Sequence, residues 1–196
     1  MKSRLLILVS GSVLAVTACA KHDEATTNTT DMNVAMDNGM TADMNSGMNG
    51  AEAAAPMTAQ GFANAAAASD KFEIDSSKLA ASQASSAAVK SFADKMISAH
   101  TTSTAKLKST AAAMNPAMTP DDTLNAEQQS TLDSLKGKKG ADFDSAYAAA
   151  QVDGHQKTLD ALKAYAASGD NATLKSFAEG MVPTVTAHLN MAKGLK

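Results

Sequence analysis

From Ala59 to the C-terminus, apolar residues recur at the three- and four-residue spacing of amphipathic helices. A first helix is predicted over about 59–82, with Phe62, Ala65, Ala66, Phe72, Ser76, Leu79 and Ala80 as its inward stripe. A second starts at a Ser86 cap, carries Val89, Phe92, Met96, Leu107 and Met114 on one side, and stops in the breaker segment Asn115 to Pro120. A shorter helical stretch over about 123–135 leads into Gly137-Lys138-Lys139-Gly140. A third long helix is expected to open with Asp142 as its N-cap and to reach Ala167. Ser168 to Asn171 then caps a fourth, which runs to about Leu195. Long helices of about 24 residues span about 36 Å each. Such lengths predict an all-α fold, an antiparallel four-helix bundle with a short extra helix before the third long helix.

The segment from Val89 to Met96 is echoed 85 residues later by Leu174 to Met181, with Lys-Ser-Phe-Ala, an acid and a methionine in register. Duplication of a helical hairpin accounts for that match, and it implies a pseudo-two-fold plan of the ferritin-like kind. A chance match between two amphipathic helices is the simpler alternative.

Ahead of the bundle the pattern changes twice. Lys2 and Arg4 precede an apolar stretch over 5–18, which is too short to span a bilayer and has the form of a secretion signal. It ends in Val16-Thr17-Ala18-Cys19, which resembles the bacterial lipobox. That resemblance implies cleavage of residues 1–18, lipidation of Cys19, and a membrane partner reached through the acyl chains. Ala20 after the cysteine, in place of aspartate, favours the outer membrane, with the domain in the periplasm. Residues 19–58 are rich in Thr, Asn, Asp, Gly and Met and nearly free of large aliphatic side chains, the composition of a disordered tether. In it Met32, Met36, Met40, Met44 and Met48 recur every four residues. Thioethers are soft ligands that suit Cu(I), so the repeat is a candidate for copper capture, although a drifting linker explains it as well. The bundle domain is expected over 59–196.

Composition sharpens this division. Alanine contributes 42 of the 196 residues, so the 44% hydrophobic fraction overstates the large apolar side chains. The net charge of −3 comes from the tether, where six carboxylates face Lys21; beyond it 14 acidic and 14 basic residues balance. The domain also lacks arginine, so nucleic acid is not an expected partner. The single cysteine excludes a disulfide scaffold.

The chemistry of the domain is concentrated in three histidines. His100, His155 and His188 lie on the second, third and fourth long helices, each within an apolar stripe and each followed seven residues later by leucine. On the first helix the inward-leaning polar residue is Glu73. Together these four are a candidate ligand set for one first-row metal ion such as Zn, Fe, Mn or Cu, with Tyr147, Thr104 and Thr184 as neighbours that could orient them. The competing reading is a set of buried histidines that hydrogen-bond to those same neighbours and only rigidify the core. A di-iron centre is not expected, because no glutamate has a histidine three residues later. Pro183 should bend the fourth helix, and Gly154 permits a close backbone approach beside His155. No nucleophile–base pair or phosphate loop is present, so a non-enzymatic protein is expected.

Three segments carry a family resemblance: Phe92-Ala93-Asp94-Lys95-Met96 followed by His100, Phe143-Asp144 with Tyr147 and His155, and Pro183 followed by His188-Leu189 and Ala192. Over about residues 59–195 the chain resembles the bacterial family catalogued as domain of unknown function 4142. The resemblance implies a ferritin-like four-helix fold in the cell envelope, with no established activity, and places the family's helix-one glutamate at Glu73. Ala99 stands where the family usually carries an acid. Two functional readings follow: an outer-membrane lipoprotein that displays a metal-binding or envelope-stress module, or a structural or protein-interaction module.

Overall fold

The structure, a computed structural model, describes residues 57–195. The signal segment, Cys19, and the tether with its methionine repeat as far as Pro56 lie outside the described residues. Five helices form: α1 (Ala59–Gln83), α2 (Ala87–Ala112), α3 (Ala126–Lys136), α4 (Gly140–Ser168) and α5 (Ala172–Lys193). None of them is long and apolar enough to cross a membrane.

Local signals account for most boundaries. Thr58, Ser86 and Asn171 each accept a hydrogen bond from the backbone N–H three residues on, satisfying a donor the helix start would leave orphaned. Asn125 and Gln128 form a reciprocal capping box at α3. The expected Asp142 cap is the exception. Helix α4 begins two residues earlier, at Gly140, where a φ of 62° needs a residue without a Cβ, and Asp142 lies in its first turn. There its charge is favourable to the helix dipole. Helix α5 runs on through Pro183.

The four long helices pack as a square, α1 on α2, α2 on α5, α5 on α4 and α4 on α1. Contacts between α1 and α4 descend in antiparallel order: Phe62 stacks on Tyr165, Ser69 bonds Thr158, Gln151 donates to Ser76, and Ser77 pairs with Tyr147. Since α1 is antiparallel to both α2 and α4, those two run parallel, and the link between them must return the length of the bundle. Residues 113–139, with α3 lying on α1 and α4, make that crossover, the connection of ferritin-like bundles. The repeated segments occupy matching places: Val89, Phe92 and Ala93 on α2 are buried, as are Leu174, Phe177 and Ala178 on α5.

Helix α1 buries Phe62, Phe72, Ser76 and Ala80 of the expected stripe, but its buried face is centred to one side of it. Its buried residues include Phe62, Ala63, Ala67, Asp70, Glu73, Ser77 and Ala80, while Ala65 is exposed and Ala66 and Leu79 are half-buried. Alanine fits core and surface alike, so the two phenylalanines pulled the expected stripe to one side. The true core divides along the bundle into two apolar clusters. One holds Phe62, Leu107, Leu159, Leu162, Tyr165 and Phe177; the other holds Val89, Phe92, Met96, Leu135, Phe143 and Tyr147. Between them on the chain lie the buried polar residues Asp70, Glu73, Ser76, His100, Gln151 and His155.

Two buried polar side chains fasten the turns. Gln83 Nε2 donates to the carbonyls of Leu135 at 2.9 Å, Lys136 at 3.3 Å and Lys138, holding the end of α3 against α1. Asp144 accepts from the backbone N–H groups of Ser85 (3.2 Å) and Ser86 (2.8 Å) and from the Ser85 hydroxyl, tying the α1–α2 turn to α4. Asp144→Ala should therefore lower stability by about 2–3 kcal/mol, because it removes three charge-assisted bonds that tie the α1–α2 turn to α4. Asp142→Ala, which loses only a favourable dipole contact, should cost under about 1 kcal/mol. Chemical denaturation of both variants measures the difference.

Candidate metal centre

His100, His155 and His188 meet near the middle of the bundle. Their ring centroids are 5.4–5.6 Å apart. One ligand atom from each ring lies within 4.8 Å of the other two, and all three residues are buried. Among the described residues, three buried ring nitrogens have no hydrogen-bond partner: His100 Nε2, His155 Nε2 and His188 Nδ1.

The rings are not held alike. His100 Nδ1 is 2.7 Å from Asp70 Oδ1, and Thr104 donates to the same carboxylate at 3.2 Å as well as to the His100 carbonyl at 2.8 Å. His155 Nδ1 donates to the Gln151 carbonyl at 2.8 Å, one turn back on α4. In both, Nδ1 is engaged, which leaves Nε2 as the unpartnered nitrogen, with its lone pair free when the ring is neutral. That is the arrangement by which supporting hydrogen bonds orient metal-binding imidazoles. His188 has no hydrogen bond among the described residues and turns Nδ1 inward.

The other expected members fall differently. Glu73 is 1% exposed, but its Oε1 lies 3.6 Å from His155 Nδ1, behind that ring, and the carboxylate is not part of the three-residue group. Tyr147 is buried with its hydroxyl paired to Ser77 at 2.6 Å, and it hydrogen-bonds to no histidine. Thr104 braces Asp70 as described, whereas Thr184 lies on the exposed face of α5. Asp70 is the residue the sequence reading missed. Its signal was present, since Ala63, Ala67, Asp70 and Ser77 follow the core spacing of one helix face, but none of them is a large apolar residue. Gly154 makes the close approach its position suggested: a Cβ there would lie 3.0 Å from Glu73 Oε1.

Burial and neighbours set the charge states. Desolvation presses His155 down to about 3 and His188 to about 4, so both rings are neutral over the ordinary range. Desolvation acts on His100 too, but the bond to Asp70 and the Glu73 and Asp70 charges outweigh it and raise its pKa. Burial lifts Glu73 to about 7. A histidine depressed in the folded state takes up its proton first in the unfolded chain, so its contribution to stability is lost as pH falls below 6.5. Glu73, raised from 4.5, acts in the opposite sense between 4.5 and about 7. In metal-free protein, His188→Asn should remove one histidine contribution alone. Between pH 6.5 and about 4 the variant should lose less stability than the native chain, as urea titrations at several pH values would show.

Among solved structures the chain is similar in fold to "CopM in the Cu(II)-bound form". It aligns with a TM-score of 0.58 at 15% identity, covering 70% of this chain and 94% of that one, a likeness of fold. No curated protein matches the sequence. The family model described as a domain of unknown function (DUF4142) matches residues 45–195, well over half of the chain. The protein therefore belongs to the DUF4142 family.

Proposed function

We propose that this protein binds one first-row transition metal ion through His100, His155 and His188 and serves as a metal-handling module of the bacterial cell envelope. The observation that carries the reading is the convergence of three buried, unpartnered ring nitrogens from three helices. Histidines that served only to rigidify a core would complete their hydrogen bonds within it. Leaving a buried polar group unsatisfied costs about 1–3 kcal/mol, and here that cost is incurred three times at one point. Metal–nitrogen bonds of about 2.0 Å demand ring nitrogens within about 4 Å of one another, so the rings, whose nitrogens now lie within 4.8 Å, would draw together on binding.

Imidazole suits Zn, Cu and Fe, and among divalent ions of the row copper binds a given nitrogen site most strongly. Copper is the ion we assign, in keeping with the Cu(II)-bound relative in fold. The Asp70 and Glu73 carboxyl groups behind His100 and His155 would offset the charge of a divalent ion. The envelope assignment rests on the lipobox-like Val16 to Cys19, which would place the domain on a leash at the outer membrane. The role we assign is binding, without catalysis.

The test is metal content and affinity of the mature chain. It should take up about one equivalent of copper, and His188→Ala should retain less than about a tenth, whereas Thr184→Ala should bind as the native chain does. Less than about a tenth of an equivalent of every first-row metal after loading would overturn the reading. Asp70→Asn should bind copper about 10–100-fold more weakly, as competition against a chelator would measure.

A further inference from the structure

Between α1 and α4, beneath the first half of α3, lies a cleft of about 240 Å³. Its apolar walls include Phe62, Ala65, Ala66, Phe72, Ala150 and Leu162, and polar side chains of α3 and of Ser69 and Thr158 complete the lining. Lys157 stands at its rim, paired with Glu127 and, at 2.9 Å, with Asp153. Gly154 forms part of the lining. Because a Cβ at this position would come within 3.0 Å of Glu73 Oε1 and 3.7 Å of the Phe72 ring, the bare glycine backbone is what separates the cleft from the Glu73 carboxylate. Glu73 Oε2 is buried without a partner.

These features describe a container with an apolar body and an acidic end. A dry apolar cavity of about 150 Å³ accommodates benzene, so this one has room for a ring and a short arm. At the rim two carboxylates, Glu127 and Asp153, outnumber Lys157, and the Glu73 carboxyl lies just behind Gly154, so the acidic groups about the cleft exceed the basic one. A buried carboxylate short of partners gains most from a ligand that brings both charge and N–H donors. Hydrated metal ions are poorly matched to such walls, because alanine and phenylalanine cannot replace the water they shed.

We propose that this cleft binds a small organic cation, an aromatic or branched apolar body on a short arm that ends in a primary ammonium directed over Gly154 toward Glu73. The apolar body lies along Ala65, Ala66 and Ala150 between Phe62 and Phe72. The small side chains keep that space open. Glu73 is shared with the surroundings of the histidines, whereas none of the three histidines lines the cleft.

The experiment titrates the full chain with 2-phenylethylamine and with its neutral counterpart 2-phenylethanol, followed by calorimetry and amide NMR shifts. The amine is expected to bind with a Kd below about 1 mM and about tenfold tighter than the alcohol. Ala65→Leu, at the exposed edge of the cleft, should weaken both about tenfold by filling it, and Ala161→Leu should do the same from α4. Glu73→Gln should bring the amine down to the affinity of the alcohol. His188→Ala should leave both unchanged, which separates this site from the metal centre. Absence of saturable amine binding, equal affinity for the two probes in the native chain, or undiminished binding in both leucine variants would overturn the proposal.

Discussion

Burying three imidazoles in a helical bundle sets the terms for everything around them. An imidazole carries two nitrogens that water would otherwise satisfy, and a bundle this rich in alanine offers few polar side chains to replace it. The protein meets the demand by gathering a group of buried polar residues at one level of the bundle, apart from Gln83 and Asp144 at the turns. Asp70 and Glu73 come from α1, His100 from α2, Gln151 and His155 from α4, and His188 from α5. Each helix contributes, so the register of all four is coupled to this one level. A slip of one helix by a turn would carry an apolar residue into the polar level and a polar one into an apolar cluster.

The connectivity serves the same end. Because α2 and α4 run parallel, the chain must cross the full length of the bundle between them, and α3 is built into that crossing. Gln83 gathers three carbonyls at the end of α3, and Asp144 gathers the N–H groups of the α1–α2 turn. Both fastenings lie at the same end of the bundle, near the isolated bridge between Ala84 and Gly140. The other end relies on packing of Phe62 against Tyr165 and Phe177.

How much of this could be seen in the sequence varied with the kind of residue that carried it. Helix existence, length and order were legible because Leu, Phe and Val mark the inner faces of α2, α4 and α5, and because Ser86 and Asn171 announce their helices. The three histidines were legible for the same reason, each being set in such a face. Helix α1 was not. With alanine on every side, its two phenylalanines drew the expected stripe toward Ala65 and Ala66, which line the cleft, and away from Ala63, Ala67 and Asp70, which line the core. The Asp70–His100 bond was hidden by that displacement. The start of α4 was misplaced because Asp142 has the chemistry of a cap, while the backbone at Gly140 had already turned.

The unequal tethering of the three rings has a consequence for any ion they hold. Two rings are fixed from behind, one by a carboxylate on a neighbouring helix and one by a carbonyl of its own helix, while the third has no such anchor among the described residues. Ions of different size or oxidation state ask for different bond angles. Were an ion held here, the adjustment would fall first on the His188 side chain, leaving the two braced rings and the helices that bear them in place. Reorganisation on a change of charge would then be confined to a few torsions, with a stiff scaffold about an adaptable centre.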